Sequence, residues 1–481
     1  MTRFEGLAID GKRGESDSGE ITSVHNPATG EVIAEVASAA PADVDRAVRV
    51  GAERFDQGVW RRTSPRVRRD VLRRIADIVR RDLEDLARLE SRNAGKPISA
   101  ARGEIGGVAA TFDYYAGAVD KIHGQTIPSH AAGNLFTFRE PVGVCGLIVP
   151  WNFPMLILSW KVAPALAMGN SVVAKPAGVT PLSALALADI AEEAGLPAGV
   201  LNIVPGRGSI VGDALIRHPL TRKVSFTGST EVGTTVMQGA ATGITNVSLE
   251  LGGKSANIVF ADTDLDACVE SSIFATYDNA GQDCCSRSRI LVERPIFDEF
   301  VQRFTARAET LVVGDPADES TEVGPLITTD HLATVAGYLA VADGEGARRL
   351  CGGERPEGAL AAGSFLTPAV YVDVRPDMRV MQEEVFGPVV GIMAFDAEDE
   401  AVRLANDSAY GLSGSVWTRD IARALRVVRS FDTGMISVNS SSSVHIEAPF
   451  GGVKGSGIGR EQGMVALEHY SELKSVFVSA T

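Results

Sequence analysis

From residue 142 onward, short apolar runs rich in β-branched residues alternate with segments of helical pattern, and this alternation constrains the fold more than any other feature. Residues 142–149 read VGVCGLIV and residues 170–175 read NSVVAK. The helical pattern PLSALALADIAEEAG follows from Pro181, then VLNIV from Val200, KVSF from Lys223 and NIVF from Asn257. Apolar strands separated by helices and Gly/Pro punctuation predict a parallel sheet covered on both faces, an α/β doubly wound layout. A second alternating set runs through SRILV from Ser288, GPVVGIMAF from Gly387, GSVWT from Gly414 and GMISVN from Gly434. With 481 residues, 45% of them hydrophobic, the chain is long enough for two such α/β domains.

Residues 141–160, PVGVCGLIVPWNFPMLILSW, contain no charge and match a membrane span in length. Pro150 and Pro154 would break a helix in the middle of that run, so the expectation is a buried strand to Val149, a turn over PWNFP and a helix from about Met155. Ahead of it, residues 64–93 predict one long amphipathic helix. Val67, Val71, Leu72, Ile75, Ile78, Val79, Leu83, Leu86 and Leu89 recur at helical spacing and the charges form a solvated face. The last segment, YSELKSVFVSA, reads as an edge strand of the kind that pairs with another subunit.

An excess of 61 acidic over 46 basic side chains gives a net charge of -15. That balance disfavours nucleic acid or an anionic membrane as main partner and leaves small molecules. The opening MTRFEGLAID has no basic segment followed by an apolar one, so a cytoplasmic protein is expected. Cys145, Cys268, Cys284, Cys285 and Cys351 are odd in number and irregular in spacing, which argues against a disulfide framework. Adjacent cysteines with no neighbouring histidine also lack the spacing of a zinc knuckle, and no metal is expected.

Several short stretches carry chemistry. NAGQDCCSRSR, residues 279–289, sets two thiols behind a Gly-Gln pair, where a thiol is packing, a redox pair or a nucleophile. In KVSFTGSTEVGTTVMQ a strand runs through Thr227, Gly228 and Ser229 into a helix, a start that suits a phosphate as well as an ordinary turn. GRGSIVG, residues 206–212, approximates a dinucleotide fingerprint with its last gap one residue too long. Lys175 closes a strand where either a ligand or water meets it. Glu250, beside Leu251-Gly252-Gly253, is a candidate base or a surface glutamate. Asn152, between two prolines and two aromatics, serves the turn or an oxyanion hole.

Taken in order, PWNFP, KPA, TPL, FTGST, ELGGK, GQDC, EEVFGP and PFGGVKGSGIGRE resemble the NAD(P)-dependent aldehyde dehydrogenase superfamily, from NPATGE near the start to SELKSV near the end. The resemblance implies that Cys284, two positions after the glutamine of G-Q-x-C, attacks an aldehyde to give a thiohemiacetal and then a thioester. Cys285 is turned to packing. Asn152 and the Cys284 N–H are the implied oxyanion donors, Glu250 the base that activates water, and Lys161 and Glu461 its proton path. Cofactor contacts are implied at Ile148, Trp151, Lys175, Gly208, Phe226, Gly228, Ser229, Leu251, Glu384 and Phe386, and substrate contacts at Phe153, Trp160, Asp283 and Phe450. The architecture implied is a Rossmann-like NAD(P)-binding domain over residues 1–121 and 141–252 and a catalytic domain over 253–453. A small β oligomerisation element over 122–140 and 465–481 would join a homodimer or homotetramer.

Two departures from the family pattern matter. Gly178 stands where NAD-selective members often carry a glutamate, so NADP is expected beside NAD, and Ser286-Arg287 replace a small Ala-Gly pair. The wording of NAGQDC and DPADESTEVGPL resembles aminoaldehyde dehydrogenases of the γ-aminobutyraldehyde and betaine aldehyde types. Asp278 and Asp283 would draw a cationic substrate unless they are solvated or paired with Arg287 and Arg289. Trp151 is a further aromatic candidate for the pocket, and the loop NSSSSVHIEAPF adds His445 and Glu447. Alternatives are a broad aliphatic or aromatic aldehyde, a semialdehyde held by Arg287, or a cofactor-binding redox sensor without turnover.

Overall fold

The computed structural model describes residues 3–480, and in it the alternation resolves into two large sheets. The first has eight strands. Its first parallel strand in sequence, Val144–Ile148, lies in the middle, with Ser171–Lys175 and Leu201–Ile203 on one side and Thr221–Thr227 and Asn246–Glu250 on the other. Strand order therefore reverses between Val144–Ile148 and Thr221–Thr227, and such a switch opens a crevice at the carboxyl ends of the strands. The register lines up functional candidates along that edge: Ile148 stands opposite both Lys175 and Phe226, and Thr227 opposite Glu250.

The uncharged run divides as its prolines dictate. Val144–Ile148 is buried throughout, and the helix Pro154–Ala167 begins with proline at its first position, where the missing N–H has no partner to lose. The long helix expected over residues 64–93 is instead two helices, Pro65–Arg81 and Leu83–Ala94. Asp82 leaves helical geometry between them (φ -99°, ψ 16°), so the apolar stripe is re-aimed at that joint and Val67 at the outer end is exposed.

The second sheet has seven strands in the order Arg348–Cys351, Ala369–Val372, Val389–Phe395, Arg289–Glu293, Ala256–Val259, Ser413–Trp417 and Met435–Val438. Only its first pair is antiparallel. A small antiparallel sheet stands apart, in which Ser471–Ser479 pairs along its whole length with Gly133–Pro141, and that strand with Thr126–Ile127. Among the described residues Ser471–Ser479 is the end strand of this sheet, and Leu473, Phe477 and Phe138 are exposed. Among the described residues no helix is long and apolar enough to cross a membrane.

Candidate active site

A cavity of about 200 Å³ brings Cys284 and Glu250 together with Phe153, Trp160, Phe450, Asp278 and Asp283. Glu250 arrives as the last residue of its strand and is 3% exposed. Neither of its carboxylate oxygens has a hydrogen-bond partner. Burial first, and the nearby Glu461 second, push this carboxyl well above its ordinary value, while Lys161 and Arg460 oppose the shift. Glu461 differs in being anchored: its Oε1 accepts from Lys161 Nζ at 2.7 Å and from Ser225 Oγ at 2.8 Å. Its main chain pairs with that of Phe450, which ties the proton-path candidate to the cavity wall.

Cys284 comes from a different kind of local structure. After the helix Leu265–Tyr277 the chain turns through Asn279, Ala280 and Gly281, all at positive φ, before entering Arg289–Glu293. Gly281 is required there, since a side chain would strike the Gly387 carbonyl, and Gly253 is required because a side chain would strike the carbonyl of Cys284 itself. The turn is pinned by Gln282, which is buried: its Nε2 donates to Asn279 O at 3.0 Å and its Oε1 accepts from Ile327 N at 2.9 Å. A carboxylate oxygen of Asp283 and the sulfurs of Cys284 and Cys285 lie within 4.8 Å of one another. A hydrogen bond with the Cys285 thiol, burial, and the negative surroundings of Asp283 and Glu384 hold the Cys284 thiol well above its ordinary value. Cys285 belongs to the apolar core as expected, but it also borders the cavity.

Asn152 is 3% exposed and its Nδ2 donates to the Gln282 carbonyl at 2.9 Å, which leaves its second amide proton free next to the Cys284 turn. The glutamate and lysine that the bland readings left on the surface are both buried. Lys175 is 5% exposed, its Nζ donates to Pro176 O at 3.0 Å, and burial pushes it down to about 8. It shares the crevice with Gly212, the end of the single turn Gly208–Gly212, which also lies against Ile148. Ser229 caps the helix Thr230–Ala241 by accepting from Val232 N at 3.3 Å, and Gly228 packs on the Phe226 ring with its N–H on Glu250 O at 3.1 Å. Leu251 is buried against Gly233 of that helix. Glu384 Oε1 accepts from Gly253 N at 2.9 Å, and burial raises its carboxyl to about 7. Phe386 (φ 55°) meets Trp151 edge-on at 5.2 Å, and its carbonyl accepts from His331 Nε2 at 2.7 Å.

The structure also separates what the sequence grouped. Trp151 packs with Phe386 and His331 and does not line the cavity; neither do the exposed His445 and Glu447, whereas Ser441 and Val444 of the same loop do. The acids are not paired with the arginines. Arg287 is 1% exposed and donates through Nε to Ser415 Oγ at 2.8 Å, through Nη2 to Gly414 O at 3.2 Å, and through Nη1 to Cys285 O. The donors of Arg289 go to the carbonyls of Lys254, Leu404, Asp407 and Ala405. Asp283 instead accepts from Cys285 N at 2.9 Å, and burial raises both carboxyls, that of Asp278 to about 6. Sequence reasoning missed Gln282, His331, Lys254 and Lys96. The signal available for Lys96 was its place in AGKP, a cation confined between glycine and proline where two helical patterns meet.

Comparison with known proteins agrees with the geometry. Residues 14–476 match the aldehyde dehydrogenase family. Human retinal dehydrogenase 2 is 45% identical over 479 residues, covering 99% of this chain and 92% of that protein. Betaine aldehyde dehydrogenase of Bacillus subtilis is 41% identical over 473 residues, 98% of this chain and 96% of that protein. The crystal structure of betaine aldehyde dehydrogenase from Staphylococcus aureus in complex with NAD+ superposes with a TM-score of 0.98 at 40% identity, covering 99% of this chain and 95% of that one.

Proposed function

The chain belongs to the aldehyde dehydrogenase family and oxidises an aldehyde to its carboxylic acid with reduction of NAD, and we propose that Cys284, Glu250 and Asn152 carry the reaction. The observation that carries this assignment is the cavity itself: a thiol from a loop and an unpartnered, buried carboxylate from a strand end face the same space. Its hydrogen bond with Cys285 and burial raise the Cys284 thiol, so its attack needs a base, and the buried carboxyl of Glu250 across the same cavity is placed to accept that proton. Attack on the carbonyl carbon makes a thiohemiacetal. Its oxygen accepts hydrogen bonds from the second amide N–H of Asn152 and from the Cys284 N–H, a pair in which each donor is worth about 2.7–4 kcal/mol in the transition state. Bound NAD supplies the chemistry of hydride acceptance. Glu250 hands the thiol proton on toward Glu461 and Lys161, which are hydrogen-bonded to each other, and, ionised again, takes a proton from the water that cleaves the Cys284 thioester.

The crevice fits that cofactor on its own features. Lys175 is a buried ammonium at a strand end, Ser229 opens a helix, and Glu384 is a buried carboxylate across the cleft that suits ribose hydroxyls. NADH formation with Cys284→Ala in parallel tests the assignment: activity must vanish in the variant.

For substrate we infer a small aldehyde bearing a cationic group. Asp278 and Asp283 line the cavity with the rings of Phe153, Trp160 and Phe450, and a cation between carboxylates and aromatic faces gains about 1–2 kcal/mol. The relatives named betaine aldehyde dehydrogenase favour the same class. A long apolar aldehyde is the second reading, favoured by Leu156, Ile157 and Val444 on the cavity wall and by the retinal dehydrogenase relatives. Betaine aldehyde against its neutral isostere 3,3-dimethylbutanal decides: a kcat/KM ratio of about 10 supports the cationic class, and a ratio of one or less sinks it. Ser471–Ser479, the end strand of its sheet with exposed Leu473 and Phe477, is where a second copy of the chain would pair.

A further inference from the structure

Lys96 is 1% exposed and has no part in the steps assigned above. Its ammonium donates to the backbone carbonyl of Asn152 at 2.9 Å, pairs with Glu104, and stands 4.4 Å from the centre of the Phe153 ring. Asn279 Nδ2 donates to the same Asn152 carbonyl at 3.0 Å and also reaches Gln282 O at 3.3 Å. Two donors from separate elements therefore converge on one carbonyl, and the amide side chain of that same residue is tethered to Gln282 O. A fully buried ammonium is costly to keep before its partners are counted, and an apolar residue would fill the same space without that cost. What the cation supplies is a fixed main chain at Asn152, in a turn that two prolines leave short of backbone donors.

We propose that Lys96 is a positioning residue for the oxyanion site, acting through Asn152. With Asn279 it clamps the Asn152 backbone against the Gln282–Cys284 turn. One amide proton of Asn152 then rests on Gln282 O and the other meets the carbonyl oxygen of the substrate. This rests on the reading of Asn152 as an oxyanion donor. An oxyanion donor that drifts by a fraction of an ångström loses most of its worth, so the clamp is felt in kcat and not in cofactor affinity.

The test is a double-mutant cycle on the full-length enzyme, reading kcat, KM for aldehyde, NAD affinity and melting temperature. Lys96→Met is expected to lower kcat about 100-fold with KM changed less than about threefold, and to cost nothing further when made in Asn152→Ala. Equal losses in both backgrounds would overturn the proposal while leaving Asn152 as the donor. Asn152→Ala with unimpaired kcat would overturn both readings. Should Lys96→Met not fold, Asn279→Gly removes the other donor on that carbonyl. Its expected loss of about tenfold must also disappear in Asn152→Ala, and an additive loss counts against the clamp.

Discussion

Along the carboxyl edge of the eight-stranded sheet, each candidate side chain is set by a ladder: Lys175 opposite Ile148, Ile148 opposite Phe226, Thr227 opposite Glu250. The turn that carries Cys284 has no ladder. Three consecutive residues at positive φ, the amide of Gln282, the guanidinium of Arg287 and the clamp on Asn152 hold it. The contrast teaches that the two halves of the site are built by different physics. Strand ends are positioned by main-chain pairing that any sequence of the right pattern forms, so their side chains are free to be chosen for chemistry. A loop has to recruit buried polar side chains to satisfy its own carbonyls, and those side chains are then committed to structure.

That contrast is broken most directly at the nucleophile. Cys284→Ala should reduce NADH formation by at least about 10⁴-fold while melting temperature and NAD affinity stay near wild-type values, because main-chain and Gln282 hydrogen bonds, not the thiol, set the turn. A large fall in melting temperature, seen by calorimetry, would mean that the nucleophile is part of its own scaffold.

Glu250→Gln is the next largest. Loss of the base should lower kcat by about 10²–10³, with no loss of stability, since the strand end is fixed by its main chain. The carboxyl lies well above its ordinary 4.5 because of burial. Below that raised value it is protonated and takes no proton from water, so kcat falls with falling pH, and the acid limb should be missing from the variant. The stability term runs the other way. A group raised on folding stabilises fully below 4.5 and loses that contribution as pH rises through its folded value. The melting temperature of Glu250→Gln should therefore gain on wild type as pH increases, and parallel curves would show that Glu250 is not buried as described.

Legibility in the sequence follows the same division. The strand-helix alternation and the proline-divided run locate the parallel sheet, and the ordered motifs, through the family they resemble, point to Lys175, Glu250 and Cys284, because these properties are local along the chain. The helix break at Asp82 has no such mark: arginines precede it, leucine and acidic residues follow it, and the joint is set by where the two helices pack. Lys96, Gln282 and Arg287 are charged or polar residues that are buried on partners the sequence does not mark, either within one turn, as Asn279 O for Gln282 and Cys285 O for Arg287, or far along the chain, as Asn152 O for Lys96 and Gly414 O for Arg287. Arg287 borders the cavity with its donors on Ser415, Gly414 and Cys285, so the alternative that paired it with Asp278 or Asp283 is not the one the structure takes.

Arg287→Met measures what that commitment is worth. It strands the Cys285 and Gly414 carbonyls and the Ser415 hydroxyl in a buried place, a loss of about 3 kcal/mol readable by chemical denaturation. Lys175→Met, on the ladder side, should cost well under half as much, since Lys175 donates to a single carbonyl. Equal losses would erase the distinction between the two regions.

The smallest effect is expected where the ladder side faces the adenosine half of the crevice. Gly178 lies three residues past Lys175, and the nearest atom to a side chain there would be the Gly206 carbonyl at 4.0 Å, so the site has room. Its φ lies outside the left-handed range, and a glutamate fits without backbone strain. A carboxylate at that point would repel a 2′-phosphate and accept a hydrogen bond from a free 2′-hydroxyl. Gly178→Glu should therefore lower kcat/KM for NADP by about tenfold, corresponding to about 1.4 kcal/mol, and leave the value for NAD within about twofold. The measurement is the NADP to NAD ratio of the two proteins at one fixed ionic strength, because the repulsion is screened by salt. An unchanged ratio would place the 2′ position away from residue 178 and move the search for cofactor selectivity to the Gly208–Gly212 turn on the other side of Lys175.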